Sequence, residues 1–208
     1  MSLSALVLLS VVVLVPGLGA TLALWRPGEV GLPTRMALAA GFGYAIWALI
    51  AFALAMLHAL RAPVLVPLMA AATAGLWWFG LRRGSLAAHV RAVRDEVRAD
   101  PWTMVAGLLV LIGLAVVRGT YSSLLDLRGA SPFRYWADGL EIADGGRIPD
   151  LTLQWGMAMV PTVSKVMLNA FNASASFVLG TNALHALGPL LWLSSVGLAT
   201  AFWALGRE

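Results

Sequence analysis

The charged residues in the second half of this chain cluster in one stretch. Arg118, Asp126, Arg128, Arg134, Asp138, Glu141, Asp144, Arg147 and Asp150 all fall there. Charge held near a bilayer is costly and needs a reason. Asp138 and Glu141 are three residues apart and share one face of a helix. Arg134 stands one turn from Asp138, an ordinary helical ion pair. Such a set offers an acidic site at a membrane surface, with arginines beside it for an anionic group. A solvated polar face above an apolar one needs the same residues, and both readings stand at this point.

Other means of catalysis are scarce. The chain has no cysteine, which excludes disulfides, thiolate catalysis and cysteine-based zinc or iron–sulfur sites. His58, His89 and His185 are far apart in sequence, each on or beside a predicted helix. They read as structural or interfacial residues, not metal ligands, and no cofactor is expected. The first hundred residues hold nothing that resembles a catalytic site.

These side chains must be positioned by membrane helices. Of the 208 residues, 60% are hydrophobic, and the mean hydropathy is +0.84. A soluble domain of this size is about 45–50% apolar. The excess falls in long runs between short polar stretches, as a polytopic membrane protein requires. The net charge is +4 and the 14 basic residues are all Arg except Lys165. Most sit between apolar runs, so they read as topology control and not as a nucleic-acid surface.

The expected fold is all-α, with about five transmembrane helices plus amphipathic interfacial ones. Residues 1–80 form a three-helix membrane region. Met1–Ser4 lacks the positive charge of a signal peptide, so the first span, roughly Leu3 to Trp25, reads as retained. Pro16-Gly17 predicts a kink within it. The second span runs from about Thr34 to His58, with Ala37, Ala39, Ala40, Gly41 and Gly43 allowing close helix approach. The third runs from about Pro63 to Phe79, with Trp77 and Trp78 at the headgroups.

Residues 81–100 change character. Arg82, Arg83, Arg91, Arg94 and Arg98 alternate with Leu86, Val90, Val93 and Val97 at helical spacing. This predicts an amphipathic cytoplasmic helix, its arginines towards anionic headgroups. Asp100-Pro101 starts the next helix, an N-cap followed by proline. The fourth span ends near Arg118 or continues towards Leu125.

Residues 101–208 hold the rest: the external loop 118–150, a mixed stretch, and a final span over about Ala183 to Leu205. Within the loop, Ser131-Pro132 can cap a short helix with Phe133, Trp136, Ala137 and Leu140 as its apolar stripe. Gly145-Gly146 can end it. Leu151 to Asn172 is interrupted by Pro161, Lys165, Asn169 and Asn172, which predicts interfacial or re-entrant helices. Five spans place the N-terminus outside and the C-terminus in the cytoplasm of a multi-pass cell-membrane protein. Asn172-Ala173-Ser174 matches a glycosylation sequon, to which no role is assigned.

The stretch from Ser131 to Pro149, SPFRYWADGLEIADGGRIP, resembles the first external loop of GT-C glycosyltransferases. In that superfamily an outward-running helix leads to an acidic residue, then to an aromatic-rich juxtamembrane helix and a Gly-Arg-Ile-Pro-like turn. The resemblance covers roughly residues 102 to 205. It implies a polyprenyl-phosphate-linked sugar as donor, on the external face of the cell envelope. It also implies a loop carboxylate as general base on the acceptor hydroxyl. By position Asp126 matches that acid, with Asp138 and Glu141 as second choices. Arg118, Arg128 and Arg134 would bind the lipid phosphate.

The sequence departs from the pattern in three ways. Ser131 stands where many relatives carry an acid, Trp136 where a histidine is common, and the family core has more spans. The chain therefore reads as such an enzyme or its N-terminal part. The alternative is a non-catalytic integral membrane subunit that scaffolds or stabilises a larger complex with other membrane subunits. Its marks would be small-residue helix faces, nine tryptophans and an external amphipathic helix. A transporter is a weaker third reading, since no predicted span pairs buried charges.

Overall fold

Small residues and short polar breaks divide the apolar sequence into helices that pack closely. The computed structural model describes residues 3–124, 140, 142–146, 163–180 and 183–206. The helices are α1 (Leu3–Leu24), α2 (Leu32–Met56), α3 (Ala62–Arg83), α4 (Leu86–Ala99), α5 (Pro101–Leu124), α6 (Val163–Leu179) and α7 (Ala183–Leu205). A further helical turn covers 142–145, and the described residues include no strand.

Three helices, α1, α2 and α3, are long and apolar enough to cross a membrane, and the bent pair α4–α5 makes a fourth candidate. That bend is 100°. It falls at Asp100-Pro101, where the proline ring prevents one helix from continuing through. Asp100 Oδ1 accepts from the Thr103 N–H at 3.3 Å and caps the new helix.

The bundle is built on the α1–α2 crossing. Gly17 lies against the Ala39 backbone, and Gly43 against the Val13 backbone, so close that a Cβ at either would collide. Gly41, on another face of α2, meets open space. Helix α3 packs on α1, while α6 and α7 pack on α2. Trp77, expected at the headgroups, turns inward over Gly19 and donates from Nε1 to the Val15 carbonyl at 2.9 Å. Trp78 faces out, with the Arg82 guanidinium 4.5 Å above its ring. Pro16 makes no break in α1, which is helical from Leu3 to Leu24.

The apolar core joins Leu9, Val13, Trp47, Leu54, Leu60, Leu65, Ile142, Phe171, Leu190 and Leu193. Phe171 stands edge-on to both Tyr44 and Trp47, with ring centroids 5.4 and 4.9 Å away. Helix α5 is peripheral. It packs chiefly on α7 and meets α4 at their junction. Much of its surface is exposed apolar side chain, as a lipid-facing helix requires.

Candidate functional site

The two ends of the bundle carry different chemistry. At the end where α1 leads into α2, the first turn of α2 presents backbone N–H groups without helical partners. Glu96 of α4 reaches this turn, and its Oε2 accepts from the Leu32 N–H at 2.7 Å. The negative charge also suits the positive end of the helix dipole. Gly31 leaves room for it, since a Cβ there would stand 3.0 Å from Glu96 Oε1.

One turn inside α2, Arg35 is 5% exposed. Its Nη1 donates to His89 Nδ1 at 2.8 Å, and Nη2 reaches the Arg26 carbonyl at 3.5 Å. Arginine can only donate, so His89 Nδ1 accepts and the imidazole proton sits on Nε2. His89 is buried, and Nε2 packs at Gly84 without a hydrogen-bond acceptor. Burial and the Arg35 charge hold the imidazole below its ordinary range. The three side chains are taken up by one another and by backbone, so this cluster is a lock between α2 and α4.

The lock adds a second face to α4. Its expected stripe, Leu86, Val90, Val93 and Val97, lies mostly off the protein, the side left for the membrane surface. Leu86, Val90 and Val97 are exposed, whereas His89, Ala92, Val93 and Glu96 turn inward. The helix docks by a polar edge, and the apolar stripe beside that edge stays open.

At the opposite end, α2 closes with a Schellman-type cap. His58 takes φ 58°, its N–H donates to Ala55 O at 3.2 Å, and the Ala59 N–H donates to Leu54 O at 2.8 Å. Leu60 follows, fully buried, and its N–H donates to the Gly146 carbonyl at 3.1 Å. Gly146 adopts φ 64°, and its N–H bonds Ile142 O at 2.8 Å, ending the 142–145 turn where Gly145-Gly146 predicted an end. Ile142 is buried in the same core as Leu60. The acid-bearing stretch is thus anchored on the α2–α3 turn, with Asp144 exposed beside the anchor.

Between the two ends, residues 169–176 of α6 are all buried. Four of them are polar: Asn169, Asn172, Ser174 and Ser176. The serines satisfy themselves within the helix, Ser174 Oγ donating to Phe171 O and Ser176 Oγ to Ala173 O, each at 2.6 Å. Asn172 is 1% exposed, and neither its Oδ1 nor its Nδ2 meets a protein partner. Buried amides are nearly always paired, so this group calls for a polar companion such as water or a ligand. The stretch expected to form interfacial or re-entrant helices up to Asn172 is helical from Val163, and that helix runs on to Leu179 with residues 169–176 buried.

Of the residues singled out by sequence, Arg118 falls in the last two turns of α5. Asp126, Arg128, Arg134, Asp138 and Glu141 lie outside the described residues. Among the described residues no group of His, Asp and Glu is placed to hold a metal ion. Sequence reasoning overlooked Arg35 and Glu96. An arginine at the start of a predicted span was the available signal, because a buried cation requires a partner. No family model, curated protein or solved structure matches this chain.

Proposed function

We propose that this chain is a GT-C-like membrane glycosyltransferase, or the N-terminal part of one, acting on a polyprenyl-phosphate-linked sugar at the external face. The observation that supports this reading is the Leu60–Gly146 hydrogen bond with Ile142 buried beside it. It ties the acid-bearing stretch to the end of the bundle opposite the arginine-rich α4. By the positive-inside rule α4 is cytoplasmic, which makes the acidic stretch external. With α7 as a fifth span, the N-terminus is outside and the C-terminus is cytoplasmic.

In this reading Asp126, just beyond the end of α5, takes the proton of the acceptor hydroxyl. The acceptor oxygen attacks the anomeric carbon, and the bond to the lipid phosphate breaks to release polyprenyl phosphate. Arg118 and Arg128 hold that phosphate, while Asp138, Glu141 and Arg134 are the second choices for the same roles.

The test is sugar transfer from a panel of polyprenyl-phosphate donors, wild type beside Asp126→Asn at matched expression. Loss of a general base lowers the rate about 10²–10⁴-fold. Full activity in the mutant passes the role to Asp138 or Glu141. No transfer by well-folded wild-type protein favours the scaffolding subunit instead.

A further inference from the structure

Helices α5 and α7 meet at one tight point. A Cβ on Gly107 would run into the Trp203 indole, so the ring lies directly on the α5 backbone. Around that contact the two helices leave a groove of about 600 Å³, lined by apolar side chains that include Ala106, Val110, Leu114, Leu198 and Phe202. On α5 its lining runs from Thr103 to Leu114. At about 1.5 Å per residue that is roughly 16 Å, close to one leaflet's share of a hydrocarbon core about 30 Å thick.

The ends of the groove differ. Its start at Thr103 adjoins Trp102, which is 83% exposed, and an exposed tryptophan at a helix start suits the headgroup level. Trp203 lies towards this end, and its buried Nε1–H meets no acceptor. Across the 100° bend stand Arg91, Arg94 and Arg98, all exposed on α4.

We propose that this groove holds one acyl chain of an anionic phospholipid from the leaflet on the α4 side. The depth matches a single tail that begins at headgroup level. The arginines of α4 select a negative headgroup, each near-surface arginine adding about 1 kcal/mol, or roughly fivefold. The inference needs only that the helices span a bilayer, and it stands apart from the sugar-transfer reading.

The test reconstitutes the full chain in phosphatidylcholine vesicles with a trace of photoactivatable phospholipid, its diazirine on the acyl chain. The probe is either phosphatidylglycerol or phosphatidylcholine, and adducts are mapped by peptide. The expected result is groove labelling at least about fivefold heavier with phosphatidylglycerol. Arg98→Gln should cut that preference about fivefold, with labelling at the exposed Phe79 of α3 unchanged. Ala106→Trp, or Ala199→Trp should the first fail to fold, should abolish the groove adducts. Equal labelling by the two probes would overturn the proposal, as would groove labelling no heavier than that at Phe79. So would a cysteine at position 106 cross-linking to another polypeptide, which would place a helix in the groove.

Discussion

Arg35 Nη1 lies 2.8 Å from His89 Nδ1 and joins the first turn of α2 to the first turn of α4. The contact requires a neutral imidazole, because a proton on Nδ1 would set two donors against each other. Glu96 at the N-terminus of α2 is the second point of the same attachment.

Docking of α4 is therefore expected to depend on pH. Burial and Arg35 depress the folded-state value of His89 from the ordinary 6.5. Its contribution is fully present above that ordinary value, and it is lost as pH falls through the window beneath it towards the depressed one. A spin label on the docked face of α4 should gain mobility as pH falls below the ordinary imidazole value, through that window. His89→Asn keeps an acceptor for Arg35 and does not titrate, so in that background the acid-induced change should vanish.

The α1–α2 crossing makes a paired prediction. Gly43→Val drives a side chain into the Val13 backbone, whereas Gly41→Val points into open space. Overpacking of this kind typically destabilises by about 1–3 kcal/mol. Thermal unfolding in detergent should show a lowered midpoint for Gly43→Val and almost none of that effect for Gly41→Val.

His58 is the only non-glycine residue with positive φ among the described residues. The left-handed conformation costs an L-residue about 1–2 kcal/mol. His58→Gly should therefore stabilise the protein, by about 0.5–1 kcal/mol after the entropy that glycine adds to the unfolded chain. A higher unfolding midpoint with unchanged helix content checks it.

Much of this architecture could be read from residue order. Asp100-Pro101 marked the α4–α5 break, Gly145-Gly146 marked the end of the short helical turn, and Gly43 stood among the small residues expected at a helix crossing. Pattern alone did not separate Gly43 from Gly41, since only the crossing geometry decides which face is covered. Helix α4 was expected as an amphipathic surface helix, and most of its apolar stripe is open, but hydrophobic periodicity gave no sign that it docks through His89 and Glu96. Burial of α6 was hidden by Asn169, Asn172, Ser174 and Ser176, which resemble a wet surface. The serines enter the core by bonding carbonyls three residues back, a device that composition does not reveal. Of the acids proposed for transfer, Asp138 and Glu141 stood out by their spacing and Asp126 only through family resemblance, and all three lie outside the described residues.

The central claim is that the acidic stretch and the arginine-rich helix α4 stand on opposite faces of one membrane. Position 144, beside the Leu60–Gly146 anchor, and position 91, on α4, are both exposed, and the chain has no native cysteine to confuse a label. Single cysteines are placed as Asp144→Cys and Arg91→Cys, and intact cells are treated with a membrane-impermeant maleimide. The account predicts labelling at 144 in intact cells, and at 91 only after the membrane is opened. Labelling at 91 but not at 144 in intact cells, or at both, would contradict it.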